Sequence, residues 1–190
     1  MMIRLTLEKK LAVDLIHIHT STLEKRNNMK YEIIDNFLDE FSFNHIKSVI
    51  ESDTFPWFWQ DQVTFVNSEG SPYYFIHMLF VDNEAKSSLF RQFMFPILEK
   101  LDAKAIIRIK INLYTNVSEF IENEFHIDYP YEHKGAILYL NNNNGYTILE
   151  DGTKIESVEN RLLKFKSYEK HKSTHCTDAK RRMNINFNYF

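Results

Sequence analysis

The sequence predicts an α+β domain in which helices come first and later strands form a double sheet of the jelly-roll type, or double-stranded β-helix. Two segments before residue 105 place apolar residues at helical spacing, and after it almost every segment has the pattern of a short strand. Helices followed by many short strands are typical of such a two-layered β structure. We expect the N-terminal helices to support one sheet and a ligand to bind in the mouth of the double sheet.

Composition favours a compact globular protein. The chain has 190 residues, of which 44% are hydrophobic, with 16 Phe and 10 Tyr against 4 Gly and 4 Pro. A net charge of -3 gives no general attraction for nucleic acid or for an anionic membrane. The single cysteine, Cys176, excludes an internal disulfide, and no apolar run is long enough to span a bilayer. We therefore expect a cytoplasmic protein that does not insert into membranes.

The first 28 residues differ from the rest of the chain. A short apolar stretch from Leu11 to His19 is broken by Asp14 and His17, and a polar run follows it. We expect residues 1–28 to be a poorly ordered N-terminal extension. A single domain is predicted over residues 29–190, with its first strand in Met29-Lys-Tyr-Glu-Ile-Ile-Asp.

The first predicted helix begins at Ser42, whose hydroxyl can cap it. Its apolar residues recur at helical spacing, at Phe43, Ile46, Val49 and Ile50. The run that begins with Phe55-Pro56 ends it, because the residue before a proline disfavours the helical conformation.

A second helix is predicted from about Ser87, after strands over residues 62–66 and 74–81. Its apolar stripe comprises Phe90, Phe93, Met94, Ile97, Leu98 and Leu101. Pro96 lies inside this stripe and can kink the helix, because proline has no amide hydrogen to donate.

The segment after residue 105 alternates with a period of two. Apolar Ile107, Ile109, Ile111 and Leu113 alternate with polar Arg108, Lys110, Asn112 and Tyr114, which predicts a strand with one apolar and one polar face. Further strands are predicted over residues 135–141, 146–150, 154–158, 161–166 and 183–190. Asn144-Gly145 and Asp151-Gly152 are turn signals, and the second predicts a tight hairpin.

His126-Ile127-Asp128 is the pattern with the clearest chemical meaning. In an extended strand, residues two apart project from the same face, so His126 and Asp128 can present an imidazole and a carboxylate to one point. One further histidine would complete the facial ligand set of non-haem Fe(II) oxygenases, which leaves adjacent positions open. His171 and His175 both qualify, whereas His133 is expected in an exposed turn.

The order of motifs resembles the Fe(II)- and 2-oxoglutarate-dependent oxygenases, especially the prolyl-hydroxylase-like branch and its small phage and bacterial members. The resemblance covers most of residues 29–190. Besides His126-x-Asp128 and His171, the matching pieces are Asn112-Leu113-Tyr114, Tyr139-Leu140-Asn141, Asn144-Gly145-Tyr146-Thr147, Glu150-Asp151-Gly152, Asn160-Arg161-Leu162-Leu163 and Arg182-Met-Asn-Ile-Asn-Phe-Asn-Tyr189. It implies Fe(II) on His126, Asp128 and His171, with 2-oxoglutarate and O2 as cosubstrates. The family's spacing favours His171 over His175 as the third ligand.

An arginine near the C-terminus is implied as the anchor for 2-oxoglutarate. Strand alternation places Arg182 with three asparagines on one face and Met183 with further apolar residues on the other. The apolar face should meet the helices, so Arg182 should line the cavity and Arg181, the alternative, should be exposed. The planar fork of Arg182 can pair with the far carboxylate of 2-oxoglutarate through two hydrogen bonds. By resemblance, Tyr114 and Tyr139 would donate hydroxyls to the same cosubstrate.

The expected function is hydroxylation coupled to 2-oxoglutarate decarboxylation, with a protein residue, a peptide residue or a small molecule as substrate. An aromatic cluster could form a pocket rim or belong to the core: Trp57, Trp59, Tyr73 and Tyr74. One alternative is a metal-binding jelly roll without oxygenase activity, which would not need Arg182 and the two tyrosines. Another is a nucleic-acid demethylase, against which the acidic balance argues.

Overall fold

A computed structural model describes residues 31–61 and 72–190 of the chain. Ile33–Phe190 forms one compact unit. The predicted extension over residues 1–28 and the predicted strand over residues 62–66 lie outside the described residues. Within the described ranges, no helix is both long and apolar enough to cross a bilayer.

The described residues form two mostly antiparallel sheets and two helices, which confirms the α+β class. The major sheet has the order β1-β9-β6-β11-β5-β3-β2, with β4 paired to β3. Its strands are β1 Tyr31–Ile34, β2 Phe58–Gln60, β3 Tyr74–Val81, β4 Glu84–Ala85, β5 Ile106–Thr115, β6 Lys134–Tyr139, β9 Leu162–Phe165 and β11 Arg181–Tyr189. The minor sheet has the order β10-β7-β8, with β7 Asn143–Leu149, β8 Lys154–Ser157 and β10 His171–Ser173.

The apolar core lies on one face of the major sheet, under helices α1 (Glu40–Ile50) and α2 (Leu89–Leu101). Buried helix residues share this core with one face of β11: Phe43, Ile46, Ile50, Phe93, Met94, Ile97, Leu101, Met183, Ile185, Phe187 and Tyr189. The alternating residues Arg182, Asn184 and Asn186 instead line a cavity on the opposite face. Strand periodicity therefore separates the core from the cavity, as predicted.

The predicted cap of the first helix is wrong. Helix α1 begins at Glu40, and its N-cap is Asp39, whose side-chain carboxylate accepts a hydrogen bond of 2.9 Å from the backbone N–H of Ser42. Asp39 is extended, with φ -60° and ψ 154°, so its side chain can reach back to the first turn. An anionic cap both satisfies a free N–H and suits the positive end of the helix dipole.

One of the two predicted turns is also wrong. Asn144 and Gly145 lie inside β7, where the pairing with β8 shifts register between Asn143 and Tyr146. A Cβ at Gly145 would lie 2.6 Å from Cδ of Arg182, so glycine is needed there for close packing in an irregular strand. The Asp151-Gly152 hairpin is confirmed, because it joins β7 to β8 and Gly152 has φ +85°.

Candidate metal centre

Two histidines from separate segments are paired through their backbones. The N–H of His126 donates to the carbonyl of His171 at 2.9 Å, and the N–H of His171 donates back to the carbonyl of His126 at 2.9 Å. Residues that exchange both hydrogen bonds lie directly opposite each other and project to the same side. Their ring centroids are 4.5 Å apart as a result.

Asp128 joins this pair. Its backbone N–H donates to the carbonyl of Ser167 at 3.0 Å, and its Oδ2 lies 3.9 Å from Nε2 of His171. One potential ligand atom from each of His126, Asp128 and His171 lies within 4.8 Å of the other two. Two imidazoles and one carboxylate in such a cluster fit a ferrous ion and leave its other positions open.

The electrostatic surroundings favour donors that are ready to bind a cation. Burial acts to raise the pKa of Asp128, but Arg108 and the two imidazoles together hold it at about 2. Burial, with a smaller contribution from His171, lowers the pKa of His126 to about 4. Burial also lowers the pKa of His171. At neutral pH the carboxylate is therefore ionised and the imidazoles are neutral, which is the state that metal binding requires.

Arg108 is a neighbour of the cluster that the sequence motifs do not include. Its Nη2 donates to Oδ1 of Asp128 at 2.6 Å, and both side chains are largely buried. The Asn188 amide nitrogen, in its donating orientation, lies 3.0 Å from the other oxygen, Oδ2. The sequence predicts that Arg108 lies on the polar face of β5. It does not predict the ion pair with Asp128, because that pair depends on tertiary structure.

Arg182 lies fully buried in the wall of the same cavity. Its Nε donates to Oγ of Ser157 at 2.8 Å, and its Nη2 donates to Oγ1 of Thr147 at 3.2 Å. Its Nη1 is buried and has no hydrogen-bond partner among the described residues. A buried guanidinium with neutral partners and one free nitrogen fits the carboxylate of a bound acid.

The two tyrosines implied by the resemblance flank this arginine. The Arg182 guanidinium lies 5.1 Å from the ring centroid of Tyr114 and 5.7 Å from that of Tyr139. The Tyr139 hydroxyl donates to Thr147 Oγ1 at 2.8 Å, so this hydroxyl helps to hold the threonine that accepts from Arg182. Tyr114 lines the cavity and stacks on Tyr74 with ring centroids 5.5 Å apart.

The alternative residues occupy other positions. His175 is fully buried and is not part of the three-residue cluster; its Nδ1 lies 3.0 Å from the carbonyl of Thr115. Arg181 points to the helix side of the sheet, where its Nη2 donates to Oε1 of Glu51 at 2.9 Å. The expectation that His133 is exposed is wrong, because its ring is buried with Nε2 2.7 Å from Oγ of Ser167.

The aromatic candidates divide between the two faces of the sheet. Tyr74 is buried and lines the cavity, next to Tyr114. Trp59 and Tyr73 stack at 4.1 Å, and Trp59 pairs with Phe75 on the face of the sheet away from the cavity. Trp57 packs against the core. Only Tyr74 of this group contributes to the cavity.

No family model matches this chain, and no curated protein matches it either. Several solved structures are similar. An oxidoreductase of the 2OG-Fe(II) oxygenase family from Burkholderia pseudomallei has a TM-score of 0.66 and 12% identity, and the match covers 86% of each chain. A non-heme alpha-ketoglutarate-dependent epimerase of nogalamycin biosynthesis has a TM-score of 0.63 and 13% identity, covering 90% of this chain and 83% of that chain.

A prolyl-4-hydroxylase from Pseudomonas putida is also similar, with a TM-score of 0.57 and 15% identity. This match covers 90% of this chain and 97% of that chain. At such low identities the likeness establishes a shared fold. The activity has to be argued from the residues of the cavity.

Proposed function

We propose that this protein is an Fe(II)- and 2-oxoglutarate-dependent dioxygenase with a jelly-roll fold. Its metal and its cosubstrate would bind in one cavity. The observation that carries the proposal is the presence, in that cavity, of a His-Asp-His cluster and a buried arginine with an unpaired Nη1. The fold shared with 2OG-Fe(II) oxygenases supports it. A protein that only stored or bound a metal would not need the second feature.

His126, Asp128 and His171 would hold the ferrous ion. Asp128 supplies the single negative charge, and Arg108 engages its Oδ1, which favours binding of the metal through Oδ2. The backbone pairing of His126 with His171 sets the spacing of the two imidazoles before a metal arrives. Such preorganisation reduces the conformational entropy that is lost when the ion binds.

Arg182 would hold the far carboxylate of 2-oxoglutarate. Ser157 and Thr147 fix its guanidinium, and the rings of Tyr114 and Tyr139 pack against it. His175, which was the alternative metal ligand, packs its ring against Tyr114 and has a buried Nε2 with no partner among the described residues. With the far carboxylate at Arg182, the 2-oxo acid end would extend toward the metal ligands.

The overall reaction would convert 2-oxoglutarate, O2 and a substrate C–H bond into succinate, carbon dioxide and a C–OH group. One oxygen atom enters succinate and the other enters the substrate. The bound Fe(II) supplies the redox chemistry that activates O2, and the protein supplies orientation and exclusion of water. We propose hydroxylation of a protein residue, a peptide residue or a small molecule, by analogy with the prolyl-4-hydroxylase that shares the fold.

The test is succinate formation from 2-oxoglutarate by the purified full chain with Fe(II) and O2, with and without pools of peptides and small molecules. We expect slow turnover without substrate and faster turnover with an active pool. A parallel titration should measure 2-oxoglutarate binding to the protein loaded with Mn(II) under nitrogen. If the protein binds a metal but neither binds nor consumes 2-oxoglutarate, it is a metal-binding jelly roll and the proposal is wrong.

A further inference from the structure

Lys110 is a cation in the cavity that the proposed chemistry does not use. It lies on the polar face of β5, between Arg108 and Asn112, and lines the same cavity as the metal cluster. Its cross-strand neighbours are Asn186 on β11 and Met78 on β3. Neither neighbour has a charge that could balance the ammonium group.

The ammonium group of Lys110 forms no ion pair with a carboxylate of the described residues. It forms no hydrogen bond or ion pair within residues 31–61 and 72–190, and its contact is with the Tyr74 ring, 5.6 Å from Nζ to the centroid. Arg108, the adjacent cation on this face, is already paired with Asp128. Burial, together with Arg108, lowers the pKa of Lys110 to about 8, and the smaller opposing effect of Asp128, which is already paired with Arg108, does not restore it. A partly desolvated lysine gains most when an anion binds beside it.

Lys110 and Arg182 contact different residues of the cavity wall. Tyr114 pairs with Tyr74 on β3 on one side and with Arg182 on β11 on the other. Lys110 contacts the Tyr74 ring, whereas Arg182 lies over Tyr114 and Tyr139 and bonds to the minor sheet. The anion that suits Lys110 is therefore a different one from the cosubstrate carboxylate at Arg182.

The Lys110 side of the cavity is next to an exposed apolar edge. Phe58, on edge strand β2, pairs with Ile76, which pairs with the cavity residue Asn112. These three side chains share the cavity face of the sheet, and 57% of Phe58 is exposed. A molecule approaching over β2 and β3 would meet an apolar surface first and the Lys110 ammonium next.

We infer that Lys110 binds a carboxylate of the primary substrate, so that the oxidised molecule is an acid with an apolar portion beside Phe58 and Ile76. The Lys110 ammonium is a single positive charge with the neutral Asn186 amide beside it, and Arg108 is already paired with Asp128, so the group matches one negative charge. The carboxylate could belong to a free amino acid or other small acid, or to an acidic residue of a peptide. This inference rests on the proposed dioxygenase function.

The experiment measures succinate formation above the rate without substrate, using the full chain with Fe(II), 2-oxoglutarate and O2. One arm uses the free L-amino acids, each beside its carboxamide. The other uses end-blocked tripeptides with a central Asp or Glu, each beside the Asn or Gln form. We expect a carboxylate probe in one arm to stimulate turnover and its amide partner to fail, which also identifies the source of the acid.

Variants test whether Lys110 causes the preference for the acid over its amide. Lys110→Met should raise the KM of the stimulating acid about 10- to 100-fold, because a charge-assisted hydrogen bond is lost, while Lys110→Arg should keep part of the preference. The matched control is Lys172→Met, since Lys172 also lines the cavity but is already paired with Glu122 at 2.6 Å. It should keep the preference for acid over amide. Without metal, the same acid should raise the unfolding temperature of the wild type more than that of Lys110→Met.

The inference is overturned if no carboxylate probe stimulates turnover, or if Lys110→Met retains the full preference for acid over amide. It is also overturned if Lys110→Met weakens 2-oxoglutarate binding and lowers the rate without substrate, because Lys110 would then belong to the cosubstrate site. Failure of the wild type to bind or consume 2-oxoglutarate is a separate result. It would remove the proposed function and this inference together.

Discussion

The metal cluster and the Arg182 site share one cavity but differ in whether their charged groups are already paired. At the metal cluster, the Asp128 carboxylate already has a cation, Arg108, and a backbone pair aligns the imidazoles. At the Arg182 site, a fully buried cation is held by hydroxyl groups and is paired with no anion from the described part of the chain. The first site thus has its donors in place, whereas the second lacks a charge that a ligand would supply. Substitutions should therefore separate metal binding from cosubstrate binding.

The largest effect is expected from removing a metal ligand. His171→Ala should weaken Fe(II) or Co(II) binding by more than about 100-fold, because loss of an outer partner alone typically costs about 10- to 100-fold. Metal titration of the purified variant measures this. His175→Ala is the matched control and should bind metal like the wild type. If His175→Ala loses the metal and His171→Ala keeps it, the ligand assignment is wrong.

Removing the Arg182 guanidinium should weaken cosubstrate binding and leave metal binding unchanged. Arg182→Ala is expected to weaken 2-oxoglutarate binding by about 30- to 100-fold, because a charge-assisted pair in a buried site is lost. The binding assay uses Mn(II)-loaded protein without oxygen, and metal affinity is measured separately. Arg181→Ala, which loses the contacts with Glu51 and with the sulfur of Met183 on the helix side, should retain 2-oxoglutarate affinity. Equal losses in both variants would contradict the separation of the two faces of β11.

Substitution of Arg108 tests whether its ion pair with Asp128 supports metal binding. Arg108→Met should weaken metal binding by about 10- to 30-fold, because the partner that orients Oδ1 is gone. It should also raise the pKa of Asp128, so that metal binding is lost at a higher pH than in the wild type. Metal titrations between neutral and acidic pH measure both effects. A variant with wild-type affinity at every pH would show that the ion pair has no role in the cluster.

A smaller loss of 2-oxoglutarate affinity is expected from a substitution at Gly145, whose backbone packs against Arg182. Gly145→Ala places a methyl group 2.6 Å from Cδ of Arg182, so the guanidinium has to shift. We expect 2-oxoglutarate affinity to fall about 3- to 10-fold with metal affinity unchanged, which corresponds to roughly 1 kcal/mol. Gly152→Ala is the control, because it strains a positive φ where no atom lies within 4 Å of the new Cβ. It should lower stability and leave the binding of 2-oxoglutarate unchanged.

A pH dependence of stability, rather than of ligand affinity, is also expected from the metal cluster. The pKa values of His126 and His171 are lowered in the folded protein, so the unfolded chain binds more protons below the usual histidine pKa. The free energy of unfolding of the metal-free protein should be highest above about pH 6.5 and fall as the pH decreases toward 4. Thermal unfolding across this range measures it. His126→Gln should show a weaker dependence, and an unchanged one would contradict the role of this residue.

The sequence could predict what depends on local periodicity. Alternation along β11 distinguishes Arg182 from Arg181, and helical spacing identifies the core residues of α1 and α2. The pair of Arg108 with Asp128 and the burial of His133 could not be predicted, because each depends on how the segment before β6 folds over β5 and β11. The turn predicted at Asn144-Gly145 was wrong for a different reason. The same dipeptide suits a turn and a strand irregularity, and only the contact with Arg182 distinguishes them.

The mutual backbone hydrogen bonds of His126 and His171 have a consequence for amide hydrogen exchange. Both N–H groups are engaged in one bridge between β10 and an otherwise irregular segment, so both must open together. An ion held by the two side chains would have to be released before that opening. Protection of these two amides would therefore increase in step with metal occupancy, and could report it without any chemical turnover.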